Sequence, residues 1–310
     1  MKEDKAIRFL QQAQAILDTS AVDDDSLAFL ARILVQVTLP HRNPKVVNAW
    51  GRRNGDFSLT IQPGVYTDKN DKIRSLGIPF GNIPRLLMAY ITTEAVKNKN
   101  PEVILGDCLS SFMRELGLTP TGGRHGSITR LRDQMKRLFS SRISFAYDGE
   151  NRFAMANQQI ASKIDLWWDT KSPYQATLLN SRILLTTDFF EEITRFPVPL
   201  DMRALKALKQ SPLALDLYTW LTYRVSYLKK PQKIKWETLS KQFGCDYGRT
   251  RDFRSRVRKY LLRIKEFYPD LKLDDKSDYL TLYPSPTHIP KMISLGSLDG
   301  KQDKKPPFCG

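Results

Sequence analysis

Apolar and polar positions change period several times along this chain. Phe9, Leu10, Ala13, Ile16 and Leu17 fall at helical spacing, so residues 1–40 are expected to be helical. Ser26 is placed to cap a second helix over Leu27-Ala28-Phe29-Leu30-Ala31-Arg32-Ile33-Leu34, and Asp23-Asp24-Asp25 read as its helix-start acids. His41 to Gly55, basic and broken by Pro, Asn and Gly, reads as a connection. Phe57 to Gln62 alternates apolar with polar, the period of a strand, and Pro63-Gly64 turns it.

From residue 82 a pattern begins that returns after residue 210. In the first copy Asn82 precedes a helix with Pro84 in its first turn and Leu86, Leu87, Tyr90 and Ile91 on one face. A short apolar piece, Val103-Ile104-Leu105, leads to a helix with Leu109, Phe112, Met113 and Leu116 inward, ended by Gly117. After a glycine-rich turn a basic helix runs from about Ser127 to Phe139. Ile143 to Tyr147 and Arg152 to Met155, joined by Asp148-Gly149, read as strand, turn, strand.

In the second copy Ser211 caps and Pro212 opens a helix lined by Leu213, Leu217, Trp220, Leu221 and Leu228. Lys233-Ile234-Lys235 is the short piece, Trp236, Leu239 and Phe243 mark the next helix, and Gly244 ends it. A basic helix follows from about Arg249 to Phe267, then Leu271 to Leu273 and Tyr279 to Leu282 as a hairpin. Pro84 to Gly117 spans 33 positions and Pro212 to Gly244 spans 32, so the repeat lies in element order rather than in letters.

Helix, strand, helix, turn, basic helix, hairpin is the order of a winged helix-turn-helix. The expected fold class is therefore α+β, mostly helical, with two tandem winged helix-turn-helix domains and a helical N-terminal extension. The expected divisions are 1–45 for the extension, 46–196 and 197–285 for the two domains, and 286–310 for a flexible tail with little to bury. Phe196-Pro197-Val198-Pro199 is the expected joint. Residues 1–45 carry apolar stripes and no basic face, so they are expected to govern self-association.

Charge changes the picture most. Forty-nine Lys and Arg stand against thirty-three Asp and Glu, a net charge of +16, which points to a polyanionic partner. A membrane partner is not expected: no apolar run approaches the roughly 18 residues needed to span a bilayer. The N-terminal MKEDKAIRFLQQAQAIL is too polar for a signal peptide. Cys108, Cys245 and Cys309 are odd in number and far apart, as free thiols are in a reducing cytoplasm. A bacterial, cytoplasmic, DNA-associated protein is expected.

The two basic helices carry the candidate chemistry. On a helical wheel Ile128, Leu131, Met135, Leu138 and Phe139 gather on one side of the first. Thr129, Arg130, Asp133 and Arg137 point the opposite way, flanked by Gln134 and Lys136. Arginine suits bidentate contact with guanine and glutamine with adenine. The preceding Thr121-Gly122-Gly123-Arg124-His125-Gly126-Ser127 is expected to leave backbone N–H groups free for a phosphate, with Arg124, His125 and Ser127 part of the site. In the second helix Phe253, Val257, Tyr260, Leu261 and Ile264 face inward. Arg251, Ser255, Arg258 and Lys259 face outward, with Arg249 at the start and Arg254 at the edge. Leu262 also falls outward, where packing on another element is its expected role. The hairpin tips Asp148-Gly149-Glu150 and Asp274-Asp275 are acidic, so Arg142, Arg152 and Lys272 on the hairpin sides are the better phosphate contacts.

IPFGNIPRLLMAYITTEAV (78–96), LGDCLSSFMRELGL (105–118) and TPTGGRHGSITRLRDQMKRLFS (119–140) resemble the plasmid-encoded RepA replication initiators. So do FSLTIQPGV (57–65) and WLTYRVSYL (220–228), and the likeness covers roughly residues 45–285. The resemblance implies two winged helices that bind repeated double-stranded origin sequences and recruit the host initiator ATPase and the replicative helicase. It also implies a homodimer that represses its own promoter and a monomer that initiates.

Enzyme chemistry finds little footing. There is no GxxxxGK[ST] for an ATPase, no HxH for a metal-dependent nickase, and no Arg three residues after a histidine as in tyrosine recombinases. His125 fits a phosphate or turn contact better than a catalyst. Trp167-Trp168 fits ordinary packing, with a stacking platform for single-stranded DNA as the alternative. No catalytic residue, metal or cofactor is expected. A sequence-specific repressor without a replication role is the alternative function, and a nickase or primase the third.

Overall fold

A computed structural model of the chain describes residues 2–36, 38–45, 48–106, 108–166, 181–243, 248–275 and 278–290. Trp167-Trp168, Gly244, Cys245 and the tail beyond residue 290 with Cys309 lie outside them. The chain opens with α1 (Lys2–Asp18), β1 (Leu27–Ala31) and α2 (Arg32–Gln36), then two hairpins, β2 (Trp50–Asn54) with β3 (Phe57–Gln62) and β4 (Val65–Thr67) with β5 (Ile73–Ser75). α3 (Asn82–Asn98), β6 (Glu102–Ile104), α4 (Leu109–Glu115), α5 (Ser127–Ser140), β7 (Arg142–Gly149), β8 (Arg152–Gln159), β9 (Ala161–Asp165) and β10 (Arg182–Leu185) complete a first unit. α6 (Thr187–Arg195), β11 (Pro197–Asp201) and α7 (Met202–Leu208) lead to the second: α8 (Pro212–Ser226), β12 (Gln232–Lys235), α9 (Trp236–Phe243), α10 (Thr250–Phe267), β13 (Leu273–Asp274) and β14 (Tyr279–Leu282).

The fold is α+β, and the repeat extends to strand order. In the sheets β6-β10-β9 and β12-β14-β13, the strand after the first helix pairs with the last strand of the unit, and the middle strand lies outside it. Capping follows the residues: the Ser211 hydroxyl accepts from the Ala214 N–H, with Pro212 in the first turn of α8. Gly117 ends the α4 turn at φ +68°, where its N–H reaches the Arg114 carbonyl.

One expected hairpin forms but belongs elsewhere. β7 and β8 pair with each other, yet they extend β2 and β3 into a four-stranded sheet, β2-β3-β7-β8. Leu59 opposite Phe145 and Ile61 opposite Ile143 put four apolar side chains on one buried face, which sets that register. The strands beside β6 are β9 and β10, whose short, mostly exposed alternation gives little sign of them.

The N-terminal region also departs from expectation. Residues 27–31 are a strand, and only Arg32–Gln36 is helical. A short run buried on both sides has no period that separates strand from helix. Here β11 decides it, pairing Ala28 with Leu200 and Leu30 with Val198, while the Phe29 N–H donates to Thr93 Oγ1 at 2.9 Å. Ser26 caps no helix; its hydroxyl donates to the Asp24 carboxylate, and the three acids precede a strand. The expected joint at 196–199 is thus mostly strand β11, with Val198 and Leu200 buried.

α1 is fastened to the second unit. The Phe9 ring lies 6.5 Å from Phe267, and the Arg263 guanidinium sits over Phe9 at 5.1 Å. Arg203 donates to the carbonyls of Ala15 (3.2 Å) and Thr19 (2.8 Å) near the end of α1. Residues 286–290 do bury side chains: Ile289 is buried, and His288 accepts from or donates to the Tyr218 hydroxyl at 2.7 Å.

A buried ion network joins the units. Asp216 on α8 takes two N–H bonds from Arg85 on α3 (2.6 and 2.8 Å) and one from His41 (2.9 Å). Arg85 also donates to the carbonyls of Leu39 and Gly81, both at 2.6 Å. Arg52 of β2 donates to the Gln242 carbonyl of α9 at 2.9 Å, and Asn82 to the Lys209 carbonyl at 2.6 Å. Packed contacts, not a linker, hold the two basic helices relative to one another.

Candidate nucleic-acid interface

α5 buries the stripe read from its wheel: Ile128, Leu131, Met135, Leu138 and Phe139 are all within 4% of full burial. At about 2 kcal/mol per side chain, that burial fixes which face remains outward. Arg124, His125, Arg130 and Lys136 are exposed, and Thr129 is half-buried.

Other expected readers turn out to be structural. Gln134 is 4% exposed; its Oε1 accepts from the Phe80 N–H at 2.9 Å and its amide donates to Asp133 at 3.2 Å. Arg137 donates to Asp133 at 2.8 Å and to the Ile78 carbonyl at 3.3 Å, and stacks over the Phe80 ring. Gly77, at φ +81°, leaves the room that the Arg137 guanidinium occupies. Arg137, Asp133 and Gln134 thus clamp α5 to the 77–80 segment. The wheel placed them by angle alone, and the segment covering that side comes from 54 to 59 residues upstream.

The loop before α5 is not an open anion nest. Ser127 is buried; its hydroxyl donates to the Thr119 carbonyl (2.6 Å) and accepts from the Thr121 N–H (2.8 Å). Thr121 in turn takes the Ser127 N–H on its hydroxyl (2.9 Å) and the Ile128 N–H on its carbonyl (3.3 Å). Thr129 Oγ1 donates to the Gly123 carbonyl at 2.9 Å. The first two helix N–H groups are therefore spent inside the loop, and a phosphate here would meet the Arg124 and His125 side chains instead. Gly126 is required sterically: a Cβ there would lie 2.2 Å from the carbonyl oxygens of Thr121 and Gly122.

α10 presents the second basic face. Phe253, Val257, Leu261 and Ile264 are buried, Tyr260 is partly so, and Arg249, Arg251, Ser255 and Lys259 are exposed. Arg258, expected to face outward, and Arg254, expected at the edge, both reach the hairpin. Arg254 lies 3.4 Å from Asp278 and over the Trp236 ring, and Arg258 donates to the Asp275 carbonyl at 3.0 Å with the Asp275 carboxylate 3.6 Å away. The acids near the hairpin turn are thus counter-ions for α10. Leu262 is 67% exposed, so the packing on another element expected of it does not cover it. Arg256 is also exposed, on the flank of that face about 100° round the helix from Ser255, and the wheel did not single it out. Lys235 joins Arg251 and Arg254 in a cleft at the head of α10. Arg142, Arg152 and Lys272 are exposed, but the first two lie on the four-stranded sheet rather than beside β6.

Two helices carry exposed basic residues, and each is third in the same order of elements. The family model described as plasmid encoded RepA protein matches residues 78–239, more than half of the chain. The chain therefore belongs to the plasmid-encoded RepA family of replication initiators, the family its sequence resembles. Among curated proteins none matches it. A solved structure titled as selenomethionine derivatives of domain 2 and domain 3 of RctB is 15% identical, covering 75% of this chain and 84% of that chain with a TM-score of 0.48. Among the described residues no helix is long and apolar enough to cross a membrane.

Proposed function

We propose that this protein initiates plasmid replication by binding repeated double-stranded DNA sites at the origin through two tandem winged helices. The observation that carries the reading is the coincidence of the β6-β10-β9 and β12-β14-β13 sheets with an exposed basic helix at the same place in each unit. In each winged helix the third helix enters the major groove. Arg130, Lys136, Arg124 and His125 form one head, with Thr129 and Ser127 holding its loop. Arg249, Arg251, Ser255, Lys259 and Arg256 form the other, braced by Arg254 and Arg258. The chain then works by binding in the bacterial cytoplasm, without catalysis or cofactor. It opens the origin and brings the host initiator ATPase and replicative helicase to it, and as a homodimer it represses its own promoter.

Footprinting on the DNA flanking the gene tests this at two salt concentrations. Two heads on adjacent major-groove segments protect about 20 bp per chain, two segments roughly 10 bp apart. If about 8 phosphates are neutralised, log K falls with log salt at a slope near −7. Footprints of about 10 bp per chain, or a slope near zero, overturn the two-headed reading. Protection of a lone inverted repeat, with no replication of a small circle carrying the gene and its flanks, moves the function to a repressor.

A further inference from the structure

Away from the outward face of α5, a groove of about 510 Å³ runs between the four-stranded sheet and the second unit. One wall carries Phe57 and Tyr147, cross-strand partners with ring centroids 5.3 Å apart. The other carries Tyr223 and Tyr227 at the end of α8, 5.1 Å apart. The Arg224 guanidinium stacks over the Tyr227 ring at 5.3 Å and donates to the Tyr227 hydroxyl and to Gln232. Lys233 and Lys235 on β12 are exposed and line the same groove. Among the described residues of its walls, three cations stand against one carboxylate, Asp56.

Rings beside cations match a chain that alternates flat apolar faces with phosphates. In a duplex each base face is covered by its neighbours, so a ring inside a cleft can stack only on an unpaired base. The occupant is therefore a single strand and not a duplex. The path also leads somewhere: Lys235 lines both this groove and the cleft with Arg251 and Arg254 at the head of α10. A strand parted from the duplex beside α10 would pass Glu237 and Asp278 in that cleft, the latter paired with Arg254, and reach the groove along Lys235.

We propose that this groove holds an unpaired DNA strand, with bases on the Phe57–Tyr147 and Tyr223–Tyr227 rings and phosphates on Arg224, Lys233 and Lys235. Stacking on a ring accepts any base, so the capture is tolerant of sequence, unlike reading by α5 and α10. The chemistry of the groove stands by itself; its use in holding an opened origin rests on the initiator reading above.

The test is fluorescence anisotropy of the full chain with two probes: a labelled oligo(dT) of about 20 nucleotides, and a duplex carrying the footprinted site. Wild type is expected to bind both. Tyr227→Ala, at a 44% exposed side chain, is expected to weaken oligo(dT) binding about 10-fold or more and leave the duplex unaffected. Tyr227→Phe keeps the ring and is expected to stay within about twofold of wild type. Lys233→Ala with Lys235→Ala should make the oligo(dT) salt slope shallower by about 1.4, since each single-strand phosphate contributes about 0.7. Lys233→Glu, at an exposed position of β12, gives a readout independent of any effect of Tyr227→Ala on folding; a loss of about 10-fold is expected. Arg130→Ala is expected to do the reverse, losing duplex and keeping oligo(dT). The proposal is overturned if wild type does not bind oligo(dT), as for a groove made for a peptide, or if Lys233→Glu and a folded Tyr227→Ala both bind it like wild type. Loss of duplex binding in wild type, with Tyr227-dependent oligo(dT) binding intact, would instead overturn the two reading heads and leave the groove standing.

Discussion

Asp216→Asn removes one charge from the contact that joins the two units while keeping the size of the side chain. Asp216 is 7% exposed and takes three hydrogen bonds, two from Arg85 and one from His41. Burial pushes its carboxyl up, but the Arg85 charge and the bonds from Arg85 and His41 outweigh burial and hold it at about 2. A carboxyl ordinarily titrates near 3.8, so the surroundings favour the charged form by roughly 2 pK units, or about 2.5 kcal/mol at about 1.36 kcal/mol per unit. Removing one partner of a buried pair also strands the other, which costs about 3–5 kcal/mol. Arg85 keeps its bonds to the Leu39 and Gly81 carbonyls, so the lower end, about 3 kcal/mol, is expected. At roughly 2–4 °C per kcal/mol for a large chain, the melting temperature at pH 7 should fall by about 6–12 °C. Circular dichroism melts of wild type and Asp216→Asn measure this directly. The depressed carboxyl stabilises the fold above its ordinary pKa, and that stabilisation is lost as pH falls through about 2. The gap between the two proteins should therefore begin to close below about pH 4. A variant that melts within about 1 °C of wild type at pH 7 would refute the network as a structural tie.

Arg130→Ala and Arg251→Ala should each cost about 1–3 kcal/mol of DNA binding if each touches a base, and alter opposite ends of one footprint. Gln134→Ala should instead lower stability by about 1–3 kcal/mol, because the Phe80 N–H loses its acceptor, with no change in base preference; a binding-site selection experiment separates the two outcomes. A chain starting at Val46 loses β1 from β11 and α1 from α10, so it should show no cooperative melt; wild-type melting would refute the clasp. Burial lowers the pKa of both His41 and His288, whose folded forms stay neutral where the unfolded chain takes up protons. Stability should therefore fall as pH drops below about 6.5, and His288→Asn should flatten that slope in melts between pH 7.5 and 5.5. Gly126→Ala should disorder the head of α5 and weaken duplex binding without touching the groove, seen as a selective loss in the duplex arm of the anisotropy assay.

The sequence alone was enough for whatever depends on local periodicity and charge. The stripes of α5 and α10, the Ser211-Pro212 start of α8, the Gly117 turn, the strand at 57–62 and the excess of cations are each settled by residues within a turn or two of one another, whereas α8 is buried nearly all round and ends at Ser226, short of Leu228. The order of elements was legible for the same reason. Tertiary structure decided everything that depends on which element covers which. Leu27–Ala31 is a strand because β11 offers it hydrogen bonds 170 residues away, and no local period records that offer. The β7–β8 hairpin joins β3 because their buried faces match, leaving β9 and β10 to flank β6. The same cause trims the site. A helical wheel gives direction but not cover, so outward Arg137 and flanking Gln134 read as exposed until the 77–80 segment closed over them, and outward Arg258 and edge Arg254 until the hairpin acids met them. The groove between Phe57–Tyr147 and Tyr223–Tyr227 belongs to neither unit alone: it exists because packing brings residues from 76 to 170 positions apart into facing walls.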